Sequence, residues 1–234
     1  MNRRFLLSAV TMFNGSHAVH GMWRHPQAVR QRAFERFDHW LELARTLERG
    51  RFDLLFLADV IGAYDVYGGD WTAAARHGVQ FPSNDPLVLL SALAPATEHL
   101  GLGMTSSVFY QQPFPFARQM STLDELSAGR LAWNIVTSVI RNGAQNVGLE
   151  RLPAHDDRYR WAEEYADVVY KLWENSWDDH ALRRDPVDGV FTDPGGIREI
   201  KHVSEHYRVR GPHLVAPTPQ RTPLLRWTPM SRVG

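Results

Sequence analysis

The chain has 234 residues, 44% of them hydrophobic, with 26 Lys plus Arg balanced by 26 Asp plus Glu. That length supports one sizeable core, and the balanced charge leaves no bulk field to attract nucleic acid or an anionic membrane. Cysteine is absent, which excludes disulfides, thiolate metal sites and a cysteine nucleophile and accords with a reducing cytoplasm.

The opening MNRRFLLSAVTMF sets two arginines before a short apolar run, but Met12-Phe13-Asn14 is no small-residue cleavage site. Residues 5–12 therefore read as a first strand, and no apolar stretch reaches the ~18 residues that span a bilayer. After a His-rich loop, residues 26–50 read as a helix: Phe37, Trp40, Leu41, Ala44 and Leu47 recur at three- and four-residue spacing, with Pro26 near the start and Gly50 at the end. FDLLFLADV (52–60) is nearly continuous in apolar residues, the pattern of a strand buried on both faces of a parallel sheet.

Asp85 then reads as an N-cap with Pro86 at the first helical position, and Pro95 kinks or ends that helix. LGLGMTSSV (100–108) is a third strand, PFPFARQMSTLDELSAGR a helix stopping at Gly129, and LAWNIVTSV (131–139) a fourth strand. A further helix runs from about Asp156 to Trp173. Residues 176–210 break the rhythm with turn-rich DPVDGVFTDPGG and a hairpin-like HVSEHYRVRGPH, an inserted, lid-like region. TPLL (222–225) begins a fifth strand.

Four βα units and a fifth strand fit either an open doubly wound sheet or the first half of a (β/α)8 barrel, and periodicity alone does not choose. No G-x-G-x-x-G follows the first strand and no P-loop pattern occurs, which removes the main support for dinucleotide and nucleoside triphosphate sites. In both architectures the ligand face lies at the carboxyl ends of the strands. There the sequence puts Asn14, His17 and His20; Asp59 with Tyr64 beyond; Thr105, Ser106 and Ser107; and Asn134, Thr137 and Ser138.

Each of these residues has a bland reading. Asp59 caps the next loop or aims a carboxylate into a site. The hydroxyls of 105–107 satisfy backbone groups or donate to a planar heterocycle or phosphate. His17-x-x-His20 lacks an obvious third metal ligand. The tryptophans are core before they are a stacking platform. His155-Asp156-Asp157-Arg158-Tyr159 opens a helix, where backbone N–H groups and added donors suit an anion, or where the two aspartates are ordinary caps.

HAVHGMWRHP, FDLLFLADVIGAYDVY, NDPLVLLSALA, MSTLDELSAGRLAWNIVTS, HDDRYRWAEEYADVVYKLWE and GPHLVAPTPQRTPLL together resemble the bacterial-luciferase-like flavin monooxygenases. The branch they resemble is that of nitrilotriacetate monooxygenase component A, with desulfurisation and long-chain alkane monooxygenases. The resemblance implies an α/β fold, a (β/α)8 TIM barrel, of which residues 1–225 are the N-terminal part. It implies reduced FMN supplied by a separate NAD(P)H-dependent flavin reductase, with a flavin C4a-(hydro)peroxide carrying one oxygen atom of O2 to a small organic substrate. A homo-oligomeric cytoplasmic enzyme without metal is expected.

By the same resemblance, Asp59 and Thr105 lie at the isoalloxazine and ribityl portions of the flavin. Asn134 and Thr137 line the strand-four side, and His155 with Tyr159 reaches toward the phosphate. His17 and Tyr64 sit on the reaction side as the candidate catalytic residues. Where relatives continue after TPLL with a phosphate-gripping turn, this chain has RWTPMSRVG, so 226–234 is expected to be a non-family tail and activity to be impaired. Three rival expectations stand beside this: an inactive fragment that self-associates or pairs with a complementary chain, a related barrel with a deazaflavin-like cofactor, and a metal-dependent hydrolase using His17, His20, His155 and Asp59.

Overall fold

A computed structural model describes residues 5–138 and 140–227 of the chain. Five strands, β1 (Ser8–Met12), β2 (Leu54–Ala58), β3 (Gly101–Ser107), β4 (Leu131–Val136) and β9 (Leu224–Trp227), form one sheet in the order β1-β2-β3-β4-β9. All four pairings are parallel. Each of these strands therefore lies beside the one before it in the sheet. A doubly wound sheet would reverse its order at a switch point, and this one does not, so the choice that periodicity left open goes to a barrel wall.

The two faces of the wall differ. Leu55, Leu57, Leu102, Met104, Leu131, Trp133 and Ile135 point outward into the core beneath the helices. The alternate residues face the interior, where a Cβ on Gly103 would press on Leu54, Phe56 and Ala132 at 3.2, 3.2 and 3.4 Å. Thr105 and Asn134 follow in this interior series and sit opposite each other in register. The core is strongly aromatic: Trp133 packs on Phe116 at 4.6 Å and on Trp173 at 6.2 Å.

Around the wall run α1 (Val29–Arg32), α2 (Phe37–Arg49), α3 (Thr72–His77), α4 (Pro86–Leu93), α5 (Pro113–Leu126), α6 (Arg141–Asn146) and α7 (His155–Tyr170). The long helix expected over 26–50 is interrupted before Phe37. The Arg32 guanidinium donates to the carbonyls of Trp23, His25 and Pro26, committing them to a loop. Asp85 caps α4 as the sequence predicts, its carboxylate accepting from Leu87 N at 2.8 Å. The helix ends at Leu93, and Ala94–Ala96 make a 3-10 turn around Pro95.

α3 and α6 are additions to the predicted elements, and β4 ends three residues early, with Val139 outside the described residues. α7 hands over at Tyr170 to a π-helical turn over Lys171–Asn175. Asp156 and Asp157 lie in the first turn of α7, whose N-cap, Ala154, has no side-chain cap bond; Asp156 pairs with His155, and Asp157 pairs with Arg160.

Residues 176–210 form two small antiparallel hairpins, β5 (Leu182–Asp185) with β6 (Val190–Thr192) and β7 (His202–Val203) with β8 (Arg208–Val209). The second is anchored to α7 by Glu164, which accepts from the Ser204 hydroxyl, His206 N at 2.9 Å, His206 Nδ1 at 2.7 Å and Tyr207 N at 2.8 Å. Tyr207 itself is buried in the main core. β9 runs two residues past Leu225, pairing Arg226 with Asn134 and Trp227 with Ile135. Residues 228–234 of the expected tail lie outside the described residues.

Candidate functional site

Asp59 follows β2 directly and lines a cavity of ≈ 540 Å³ at the carboxyl end of the sheet. The remaining wall comes from the loop after β2, from Trp71, from the stretch Gln80–Asp85, and from Asn142 and Asn146 of α6. Burial and the nearby Asp85 carboxylate push the Asp59 pKa up to about 7, against a smaller opposing pull from the Val60 backbone N–H. At neutral pH the group is therefore poised between carboxyl and carboxylate. Tyr110 lies alongside: burial and the Asp59 charge raise its phenol well above the usual range, and a bond with the Ile61 backbone offsets part of the rise.

Local sequence builds the rim. Asn142 and Asn146 stand four residues apart, on one face of α6, and donate to the carbonyls of Ala63 at 2.6 Å and Ile61 at 2.7 Å. Their loop comes so close that a Cβ on Gly62 would strike the Asn142 amide oxygen and the Gly143 backbone nitrogen, so only glycine fits there. The Ser83 hydroxyl and the Asn142 Oδ1, both on the cavity wall, are buried without a hydrogen-bond partner. The end of β1 is tied to the same rim: Asn84 N donates to Phe13 O at 2.9 Å, and Gln80 N to the Ser16 hydroxyl at 3.2 Å.

The predicted residues distribute as follows. Thr105 and Asn134 are buried neighbours, the Asn134 amide donating to the Thr105 hydroxyl at 3.2 Å, and Thr137 is buried just past β4. His17 follows Ser16 at the rim. Burial and His20 lower its imidazole pKa, while a bond to the Val10 backbone works the other way. Tyr64 lines a different cavity from Asp59.

The His155 and Tyr159 rings meet at a tilt, 4.8 Å apart, on the first turns of α7, with His155 exposed and bonded to Asp156 at 2.9 Å; neither lines the Asp59 cavity. Arg158 joins α7 to the end of β4 by donating to Ser138 O at 2.6 Å, while its Nε is buried without a partner. No residue of 176–210 lines the Asp59 cavity either. Among the described residues, no three His, Asp or Glu gather as metal ligands, and no helix is long and apolar enough to cross a membrane.

Sequence reasoning missed Asp85 as an electrostatic partner, Tyr110, and the asparagine pair of α6. Only the last carried a signal, the four-residue spacing of Asn142 and Asn146. The others meet Asp59 through the folding of distant segments.

A monotonic parallel sheet with its helices outside and its polar residues gathered at the carboxyl ends defines the wall of a barrel-type enzyme. Residues 16–229 match the model of the luciferase-like monooxygenases, and the chain belongs to that family, with its luciferase-like α/β fold. It is 47% identical to a long-chain alkane monooxygenase of Geobacillus thermodenitrificans over 100% of this chain and 53% of that protein. It is 37% identical to nitrilotriacetate monooxygenase component A of Aminobacter aminovorans over 96% of this chain and 49% of the relative.

A crystal structure of long-chain alkane monooxygenase superposes with a TM-score of 0.94 at 46% identity, covering 99% of this chain and 53% of that one. A riboflavin lyase crystallised with modified FMN and riboflavin superposes at 0.85 and 37% identity, covering 96% and 49%. The chain thus spans about half the length of the relatives it matches.

Proposed function

We propose that this chain forms the N-terminal wall of an FMN-dependent monooxygenase that transfers one oxygen atom from O2 to a small organic substrate. The family match and the flavin in a structural relative support the reading. The observation that carries it is the cavity at the carboxyl end of the sheet, with Asp59 held near neutrality. Reduced FMN, supplied by a separate flavin reductase, would provide the activation of dioxygen that no side chain here can perform. The missing thiols accord with a cytoplasmic setting, and the family resemblance suggests a homo-oligomer.

The residues present fit such a group. A buried Arg158 Nε without a partner is a guanidinium N–H left over for a phosphate oxygen, and Tyr159 and His155 add donors beside it on the first turns of α7. Thr105 and Asn134, already bonded to each other on the interior face, supply hydroxyl and amide edges for the polar flank of a ring or a ribityl chain, with Thr137 beyond. With its pKa pushed up to about 7, Asp59 can donate as a carboxyl or accept as a carboxylate at a ring nitrogen near neutral pH. His17, on the rim where burial favours the neutral imidazole, is assigned with Tyr64 to polarising the reacting centre.

Val10 and Leu224, on the interior faces of β1 and β9, are 51% and 65% exposed. The chain alone therefore offers one wall to a ligand, and its flavin affinity and activity are expected below those of the longer relatives. Anaerobic titration of the 234-residue chain with reduced FMN tests the reading. Saturable binding, weakened about tenfold by Asp59→Ala, is the expected result. No saturable binding, even at millimolar flavin, overturns it.

A further inference from the structure

Prolines interrupt the chain just before β9. Pro212, Pro217 and Pro219 have no N–H to give to a sheet or a helix, so side chains must hold the arch between them. His213 carries much of that attachment. Its N–H donates to Ser176 Oγ at 3.1 Å, its carbonyl accepts from Trp177 Nε1 at 2.8 Å, and its ring Nε2 bonds the Ser121 hydroxyl of α5 at 2.9 Å. The next anchor, Gln220, donates to Leu131 O at 3.0 Å, which sets the arch beside the amino end of β4, away from the ligand face.

Two polar atoms of the arch are left over. His213 is 3% exposed and Thr218 is 7% exposed, and among the described residues neither His213 Nδ1 nor Thr218 Oγ1 has a hydrogen-bond partner. Both residues line one cavity of ≈ 10 Å³, together with Ser121, Trp173, Trp177 and Arg221. That volume takes a single water molecule and nothing larger. Polar atoms this deep forfeit their hydration, and native folds pair almost all of them.

The chemistry of the lining selects water over an ion. No Asp or Glu lines the cavity, and the guanidinium on its wall, Arg221, is committed to the carbonyls of Trp173 and Trp177 and to the Asp179 carboxylate. Burial and the Arg118 charge hold the His213 pKa down to about 4, so the ring is neutral near pH 7, with one nitrogen a donor and the other an acceptor. Whichever nitrogen carries the proton, Nδ1 presents an N–H or a lone pair to the cavity. The Thr218 hydroxyl likewise gives or takes. Water answers both atoms in either arrangement.

We propose that this cavity binds one water molecule, which bridges His213 Nδ1 and Thr218 Oγ1 and closes the arch that leads into β9. The assignment is independent of the monooxygenase reading.

The test uses the full 234-residue chain with ¹³C-labelled valine and alanine methyls, read by water-selective NOE and ROE spectra. The Val215 and Ala216 methyls, both on the cavity wall, are expected to show water cross-peaks of opposite sign in the two spectra, as for a water held in place while the molecule tumbles. Thr218→Val keeps the shape of the side chain and removes one partner, and is expected to lose these cross-peaks. Ala216→Leu fills the hollow and leaves the Thr218 hydroxyl in place. There the Val215 cross-peak is expected to vanish, whereas magnetisation relayed through the hydroxyl would survive. The Ala132 methyl of β4 serves as the marker that each variant keeps the fold.

Absence of the cross-peaks in the wild-type chain overturns the proposal. So does their persistence in folded Thr218→Val, which would remove Thr218 from the bridge, or in folded Ala216→Leu, which would assign them to the hydroxyl. If one variant fails to fold, the other decides.

Discussion

Asp59 and Glu164 are both carboxylates drawn out of water, and they are pushed in opposite directions. Burial acts on each to favour the neutral acid. At Glu164, on α7, the hydroxyl of Ser204 and the donors of His206 and Tyr207 outweigh burial and hold the pKa down to about 2. At Asp59 the neighbour is another carboxylate, and the pKa rises to about 7. The chain spends its donors where a hairpin has to be fixed to a helix. It leaves the mouth of the sheet under-satisfied, with Asp59 held only by the Val60 backbone N–H among the described residues and Ser83 Oγ and Asn142 Oδ1 unpaired. A group left poised and unsatisfied at a barrel mouth is costly for folding alone, and it is what a site needs if a ligand is to complete it.

Removing the anchor is the most damaging way to test this contrast. Glu164→Ala strands two backbone N–H groups and the His206 ring and frees the Ser204 hydroxyl, and is expected to cost about 3 kcal/mol of stability at pH 7. The linkage has a definite sign. Because the folded pKa is depressed, the stabilisation is present above the ordinary value of 4.5 and is lost as pH falls toward about 2. Urea denaturation of wild type and variant between pH 7 and pH 2.5 should show the gap closing across that window. A gap that stays constant would mean that packing of Tyr207, and not the charge, holds the hairpin.

Asp59 should behave in the mirror image and more weakly. With the folded pKa raised, its contribution is fully present below 3.8 and is lost as pH rises through about 7. The full shift corresponds to ~4 kcal/mol, which solvent reaching a partly open cavity cuts to roughly 2 kcal/mol. Asp59→Asn is therefore expected to abolish a decline in stability that the wild type shows between pH 4 and pH 8. If both proteins decline alike, the burden lies on another group and the contrast with Glu164 is lost.

These two regions were unequally legible in the sequence. The strands are plain as apolar runs because both faces of the wall are buried or interior, and the α4 cap is plain because Asp85 and Pro86 act within one turn. Asp59 stands out because it follows an apolar run directly. Its coupling to Asp85 does not, because one residue ends a strand and the other caps a helix. The Glu164 anchor was invisible for the same reason: Ser204, His206 and Tyr207 read as loop chemistry, and only folding brings them to α7. α3 and α6 escaped because six residues are too few to display a helical period. The break before Phe37 escaped because it depends on where Arg32 directs its guanidinium.

The mildest test concerns how the rim of the mouth is held. Asn146 donates to Ile61 O at 2.7 Å from a largely exposed position, while Asn142, four residues earlier, donates to Ala63 O from a partly buried one. Asn146→Ala removes one solvent-accessible bond and is expected to cost ~0.5–1 kcal/mol of global stability. Its local effect should be larger relative to that cost, because Ile61 lies between Asp59 and the Gly62 contact, and its backbone also engages Tyr110. Loosening the loop admits water to Asp59, so the carboxyl pKa should fall from about 7 toward its ordinary range, a change that ¹³C NMR of the labelled carboxyl can follow. A variant that loses that stability while leaving the Asp59 titration in place would show that burial and Asp85 set the charge state without help from the Asn146 contact. The shape of the rim would then play no part in poising the site.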